Sequence, residues 1–236
     1  MGSRRAPAGS RAPTVTLRRK AVRVDHLLRR RYGSPRHLPS RDPIATLVRT
    51  ILSQNTSDRN SDLAFRRLRA RFASWTALRD APPPAVIEAI RPGGLGALKA
   101  PRLQGALRQI TAARGRVSLD FLRRWSTDRA AAWLRALRGV GPKTVAIVLL
   151  FAFGKRVFPV DTHVHRVCTR LGLIPPGMGA DAAHPWMSAL VPPRRHAPFH
   201  LLLVQHGRET CKAGRPRCEV CPLRGLCTYY ARVRRV

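Results

Sequence analysis

The chain has 236 residues, 44% of them hydrophobic, enough to bury a sizeable core without covalent staples. Its 45 Lys and Arg against 12 Asp and Glu leave a net charge of +33, a self-repulsion that a polyanion must compensate, and nucleic acid fits best. The longest apolar run, residues 144–153, is too short to cross a bilayer, which excludes a membrane protein of the helical kind and reads instead as a buried helix.

Met1 to Arg23 carries no acid and no apolar core, which excludes a secretory signal; residues 1–22 read as a basic disordered arm, with organelle targeting as the alternative. From Val24 onward apolar residues recur at spacings of three and four, as in Ile44, Leu47, Val48, Ile51 and Leu52, and no alternating pattern persists. An all-α protein follows. Breaks at Gly33-Ser34-Pro35, Ala81 to Pro84, Pro92 to Gly94, Gly139 to Pro142, Pro175 to Gly177 and Pro192-Pro193 cut it into roughly ten helices.

Leu137-Arg138-Gly139-Val140-Gly141-Pro142-Lys143-Thr144 is a helix-hairpin-helix pattern. Gly139 and Gly141 permit a tight turn and close approach of backbone to a ligand, and Pro142 suits the first turn of the second helix, where its missing N–H is no loss. The N–H groups that open that helix, up to Thr144, form an anion site that grips a DNA backbone without reading sequence. Only five of the 45 cationic side chains are lysine: Lys20, Lys99, Lys143, Lys155 and Lys212. Arginine grips phosphate at least as well, but only lysine can lose its proton and attack carbon, so Lys143 is a candidate nucleophile.

A nucleophilic amine working on a sugar needs a carboxylate partner. Asp161, in Phe158-Pro159-Val160-Asp161-Thr162-His163-Val164, lies about one helix and a turn beyond Lys143. It is equally well placed to cap the helix that follows, and spacing does not decide between the two. His163 and His165 read as structural, and Cys168 as packing.

Four of the five cysteines, Cys211, Cys218, Cys221 and Cys227, follow a C-x6-C-x2-C-x5-C pattern. So dense a set of soft ligands suits a [4Fe-4S] cluster, with zinc and disulfides as the alternatives; a single C-x2-C knuckle favours the cluster. The first interval contains Lys212, Arg215 and Arg217, a rigid cationic loop built to touch phosphate, which makes the metal architectural.

Taken in order, Leu137 to Thr144, Val160-Asp161-Thr162-His163-Val164, and His206-Gly207-Arg208 leading into the four cysteines resemble the endonuclease III family of DNA glycosylases, over about Val24 to Tyr230. The resemblance implies a two-lobed fold: a six-helix barrel over 45–155 that contains the hairpin, and a second helical domain from 23–44 and 156–236 that holds the cluster, with Lys143 and Asp161 facing each other across a DNA cleft. It implies that Lys143 attacks C1′ of a flipped nucleoside, expels the base and nicks the strand by β-elimination, assisted by Asp161. Leu52-Ser53-Gln54-Asn55 resembles the segment that fills the hole left by the flipped base, with either Gln54 or Asn55 as the filler. Leu95 matches an apolar wedge, and three departures are Gly96 where an aromatic is common, Arg138 where proline is usual, and Pro142 where a basic residue is common.

The resulting expectation is a monomeric base excision repair enzyme, a DNA glycosylase and AP lyase acting on oxidised pyrimidines and abasic sites in double-stranded DNA, with no membrane partner. In a bacterium it would be cytoplasmic and nucleoid-associated. The alternatives are a glycosylase for mismatched or alkylated bases and a catalytically silent lesion-binding protein.

Overall fold

The structure, a computed structural model, describes residues 12–35, 37 and 39–234. Among them are helices and loops and no strand, as the periodicity predicts. Two compact units divide them, one running to Pro35 and resuming at Val160, the other made from the segment between. The boundaries expected at 44 and 156 therefore move. Ser40 N–H donates to Phe151 O at 2.8 Å, and Val157 packs against the core of the middle unit, so both connecting segments belong to it.

Helix α1, Val15–Tyr32, starts inside the expected arm, whose first eleven residues lie outside the described ones. Thr14 caps it, its hydroxyl accepting from Leu17 N–H at 3.2 Å, and Ala21, Val24 and Leu28 form a buried stripe. The Arg18 and Lys20 side chains donate to the carbonyls of Ala189 and Leu171. Composition concealed this helix because the arginines crowd its outer face while the stripe uses only every third or fourth residue. Asp25, buried on the same helix, takes both arms of Arg195 at 2.9 and 2.8 Å, the paired arrangement a buried carboxylate requires.

The middle unit contains α2 (Pro43–Leu52), α3 (Asp58–Arg71), α4 (Trp75–Asp80), α5 (Pro83–Ala89), α6 (Gly96–Arg114), α7 (Thr127–Arg135) and α8 (Pro142–Phe153). Asp42 starts α2: one carboxylate oxygen caps Ala45 N–H at 2.9 Å, and the other accepts from the Trp75 indole at 2.9 Å, which ties α4 to it. Helix α8 packs on α2, and Val145, Val148, Leu149 and Ala152 join Leu47 and Ile51 in one apolar core. Each such side chain is worth roughly 1.5–3 kcal/mol of burial, so α8 is held along its length and offers its N-terminus outward.

The other unit adds α9 (Thr162–Leu171), α10 (Ala180–Leu190), α11 (His196–Glu209) and α12 (Thr228–Val233) to α1, with α9 and α1 packed on α11. Cys168 on α9 is fully buried, and burial drives its thiol far above the ordinary range, so it is a packing residue as read. His165 Nε2 lies 2.8 Å from Met178 O, and His163 Nδ1 lies 3.2 Å from Arg166, which makes both histidines structural. Among the described residues no helix is long and apolar enough to cross a membrane.

Candidate functional site

The hairpin joins α7 to α8 through Leu137 and Val140, both buried, with Val140 N–H donating to Leu137 O at 3.1 Å. Gly139 sits at φ +81°, and a Cβ there would lie 2.9 Å from the Arg102 side chain, so the position excludes other residues on two counts. Gly141 starts α8 in extended conformation without a side-chain cap, and a Cβ there would meet open space. The first N–H groups of α8 are left to an external acceptor, which is the arrangement an anion site needs. Lys143, half-buried, is the second residue of α8, directly after Pro142.

The departure at Arg138 has a local reason. Its backbone N–H donates to the Gln109 side chain at 2.9 Å, a bond that proline cannot make.

Gln54 and Asn55 are separated by the structure. The Gln54 amide is turned onto the hairpin, with Nε2 3.4 Å from Gly139 O and 3.5 Å from Thr144 Oγ1, while Oε1 accepts from Arg102 at 3.2 Å. These contacts are long, and Thr144 is itself buried, so in this structure the Gln54 amide rests against the turn. Asn55 is exposed and left-handed at φ 50°. Leu95 is also left-handed, at φ 53°, and stands 50% exposed at the start of α6, with Leu98, 46% exposed, on the next turn. Such a conformation costs a non-glycine residue roughly 1–2 kcal/mol. The glycine that follows Leu95 also has a reason, because a Cβ on Gly96 would lie 3.1 Å from Ile87 Cγ2 and an aromatic is excluded unless Ile87 yields.

Because Gly139 touches Arg102 and Arg102 holds Gln54, Gly139→Ala is expected to disturb the turn from both sides. Stability should fall by about 1–3 kcal/mol, combining the left-handed penalty with overpacking, and affinity for duplex DNA should fall with it. Thermal melting and a DNA titration check this; a destabilised variant with unaltered affinity would detach the hairpin from DNA binding.

Asp161 belongs to the other unit and caps α9, its Oδ1 accepting from Val164 N–H at 2.8 Å. The preceding residue is pinned, Val160 N–H donating to His184 Nδ1 at 3.1 Å. Capping, left open by spacing, is thus one role of Asp161.

Cys211, Cys218, Cys221 and Cys227 line one cavity together with Val167, Leu171 and Tyr229, and none forms a disulfide. Among the described residues no three His, Cys, Asp or Glu side chains converge as they would around a single ion. Four thiols lining one cavity are the donor set that a soft metal centre takes. Burial pushes the Cys221 thiol up to about 11, so a metal must displace its proton on binding. His206, held down to about 4 by burial, is neutral; its Nδ1 lies 3.0 Å from Tyr32 Oη and its Nε2 3.6 Å from Cys221 Sγ.

Two arginines on α9, absent from the sequence reading, shape the loop of Lys212, Arg215 and Arg217. Arg166 donates to Cys211 O at 2.9 Å and Gly207 O at 2.7 Å; Arg170 donates to Lys212 O at 2.7 Å, Ala213 O at 2.8 Å and Cys211 Sγ at 3.3 Å. The three loop cations remain exposed. Arg102 was missed likewise. The signal available was weak: Arg166 and Arg170 share a face at i and i+4, but in so arginine-rich a chain that spacing is common.

Residues 48–188 match the model of the HhH-GPD superfamily of base excision DNA repair proteins, and residues 211–227 match the iron-sulfur binding domain of endonuclease III. Endonuclease III of Sulfolobus acidocaldarius is 34% identical over 197 residues, covering 81% of this chain and 84% of that one. A relative from Arabidopsis thaliana is 35% identical over 189 residues, covering 76% of this chain, which spans only 64% of that relative. A solved structure of a trapped endonuclease III-DNA covalent intermediate superposes with a TM-score of 0.78 at 25% identity, covering 94% of this chain and 100% of that one.

Proposed function

The chain belongs to the endonuclease III family of HhH-GPD base excision DNA repair proteins, and from that premise we propose that it is a bifunctional DNA N-glycosylase and AP lyase acting through Lys143. The observation that carries this reading is a lysine, in a chain that otherwise favours arginine, placed second in an uncapped helix of the hairpin.

Here Gly139, Gly141 and Thr144 bind backbone phosphate at the open end of α8, and Lys212, Arg215 and Arg217 add phosphate contacts from the loop. Asn55 fills the space of the flipped nucleotide and Leu95 presses into the stack, each already exposed and held in shape. The Lys143 amine bonds to C1′ as the bond from C1′ to the base breaks, and the base leaves as its anion and is protonated by water. Opening of the sugar ring gives a Schiff base; loss of a C2′ proton then expels the 3′ phosphate, and water releases the enzyme. The Asp161 carboxylate, oriented by its cap, receives the proton of the amine, stabilises positive charge at C1′, and returns the proton to the ring oxygen as the sugar opens.

The substrates are oxidised pyrimidines and abasic sites in double-stranded DNA, processed by a monomer. Cys211, Cys218, Cys221 and Cys227 hold a [4Fe-4S] cluster, which supplies architecture to the cationic loop and takes no part in bond breaking. A mismatched or alkylated base is the second reading, favoured by Gly96, where the crowding against Ile87 removes the aromatic that resemblance led one to expect.

The test is incubation with a duplex carrying one oxidised pyrimidine, followed by borohydride and mass spectrometry of the adduct. Reduction at Lys143 supports the reading. No adduct, on that duplex or on an abasic one, would falsify it in favour of a silent binding protein.

A further inference from the structure

Lys99 is 1% exposed and ranks among the largest fully buried side chains of the described residues. Its ammonium donates to Leu52 O at 2.7 Å and to Gly93 O at 2.8 Å. These carbonyls stand at the feet of two turns. Leu52 ends α2, three residues before Asn55, and Gly93 ends the short turn Arg91–Gly93, two residues before Leu95.

Asn55 and Leu95 are the only non-glycine residues at positive φ among the described ones. Such conformations persist only where the surroundings over-determine them. One buried atom that satisfies a carbonyl below each turn does this, and it uses the otherwise unpaired end of α2, where a cation is favoured. The choice of lysine follows: a compact ammonium can serve two carbonyls from one point, whereas a planar guanidinium would not fit a site closed to solvent. Burial lowers the pKa of Lys99, but a neutral amine keeps two N–H groups and would keep both contacts.

We propose that Lys99 is a positioning residue that locks the Asn55 turn and the Leu95 turn into one rigid element, so that filling the vacated space and wedging the stack occur as a single step. This rests on the proposed glycosylase function but concerns the opening of the duplex, which precedes chemistry. A side chain that merely filled space would support each turn on its own.

The experiment uses a duplex with a non-cleavable tetrahydrofuran abasic analogue and 2-aminopurine as the opposite base, whose fluorescence rises when it is unstacked. Wild-type protein is expected to raise the signal without any covalent step. Lys99→Met keeps the volume and the unbranched stem but removes the donors; it should unstack the probe about tenfold more slowly, an ordinary size for coupling between neighbours. Its circular dichroism and its affinity for undamaged duplex should match wild type. A folded Lys99→Met protein that unstacks at the wild-type rate overturns the proposal.

If that variant does not fold, a double-mutant cycle with Lys99 intact decides the matter. Asn55→Ala and Leu95→Ala together should lose little more than either alone, and independent losses overturn the proposal. A wild-type protein that unstacks the probe but forms no borohydride adduct overturns the proposed function and leaves the lock standing; one that forms the adduct but never unstacks the probe overturns the lock and leaves the function standing.

Discussion

Lys143→Ala is expected to yield no borohydride adduct on any lesion and to nick abasic DNA at least about a thousandfold more slowly, equivalent to ~4 kcal/mol of barrier. The size follows from what is removed, since no other group of the hairpin can form a Schiff base. Lys143→Arg sharpens the test. It keeps the positive charge at the N-terminus of α8 but cannot donate an electron pair at neutral pH, so it should be equally inert toward the sugar. Duplex affinity should change little in either variant: α8 stays anchored by Val145, Val148 and Leu149, and one lost cation alters the salt slope by about 0.9 at most. An adduct surviving in Lys143→Ala, mapped to Lys155 or to another amine, would remove the nucleophile from the hairpin.

Cys221→Ala is expected to disorder the C-terminal tail while the middle unit stays folded. From Cys211 to Arg234 the only buried side chain is Leu223, and the regular structure consists of two single turns and the six-residue α12. So little apolar burial cannot order two dozen residues, each costing roughly 1–2 kcal/mol of backbone entropy, so ligation must supply the difference. Arg166 and Arg170 hold the first part of the loop, and Arg170 also stacks on Tyr229 and its carbonyl accepts from the Thr228 hydroxyl at 2.9 Å, but these few contacts leave the middle of the tail to the metal. The visible absorption of the cluster should vanish, and amide exchange should accelerate over 211–234 but not in α2 or α8. With Lys212, Arg215 and Arg217 no longer fixed, the dependence of log affinity on log salt should flatten by up to about 3, near 0.9 for each phosphate contact. Retained protection in the tail would mean that the arginine staples suffice without metal.

Features decided by neighbouring residues could be read before any folding. Helix α8 was legible because Gly141 and Pro142 mark its start and seven of its residues are buried along one apolar run. The iron-sulfur binding segment was legible in its four cysteines because thiol chemistry and close spacing need no fold to be recognised. The cap at Asp161 was legible as one of two alternatives, since a cap reaches only three residues along the chain.

Contacts made across long stretches of chain carry no such mark. Gln54 and Asn55 are adjacent and both are polar amides; their different placements come from Gly139, 85 residues from Gln54, and from Arg102, 48 residues away. The Lys99 bond to Leu52 spans 47 residues, and those of Arg166 and Arg170 to the cysteine loop span 41 to 45. A long cationic side chain bonding a distant carbonyl leaves no periodicity and no spacing, and with 45 cations in the chain nothing singles these out beforehand. The candidate reactive groups could thus be named from local residue types, while the placement of each polar side chain was decided only when the helices packed and closed off its alternatives in water.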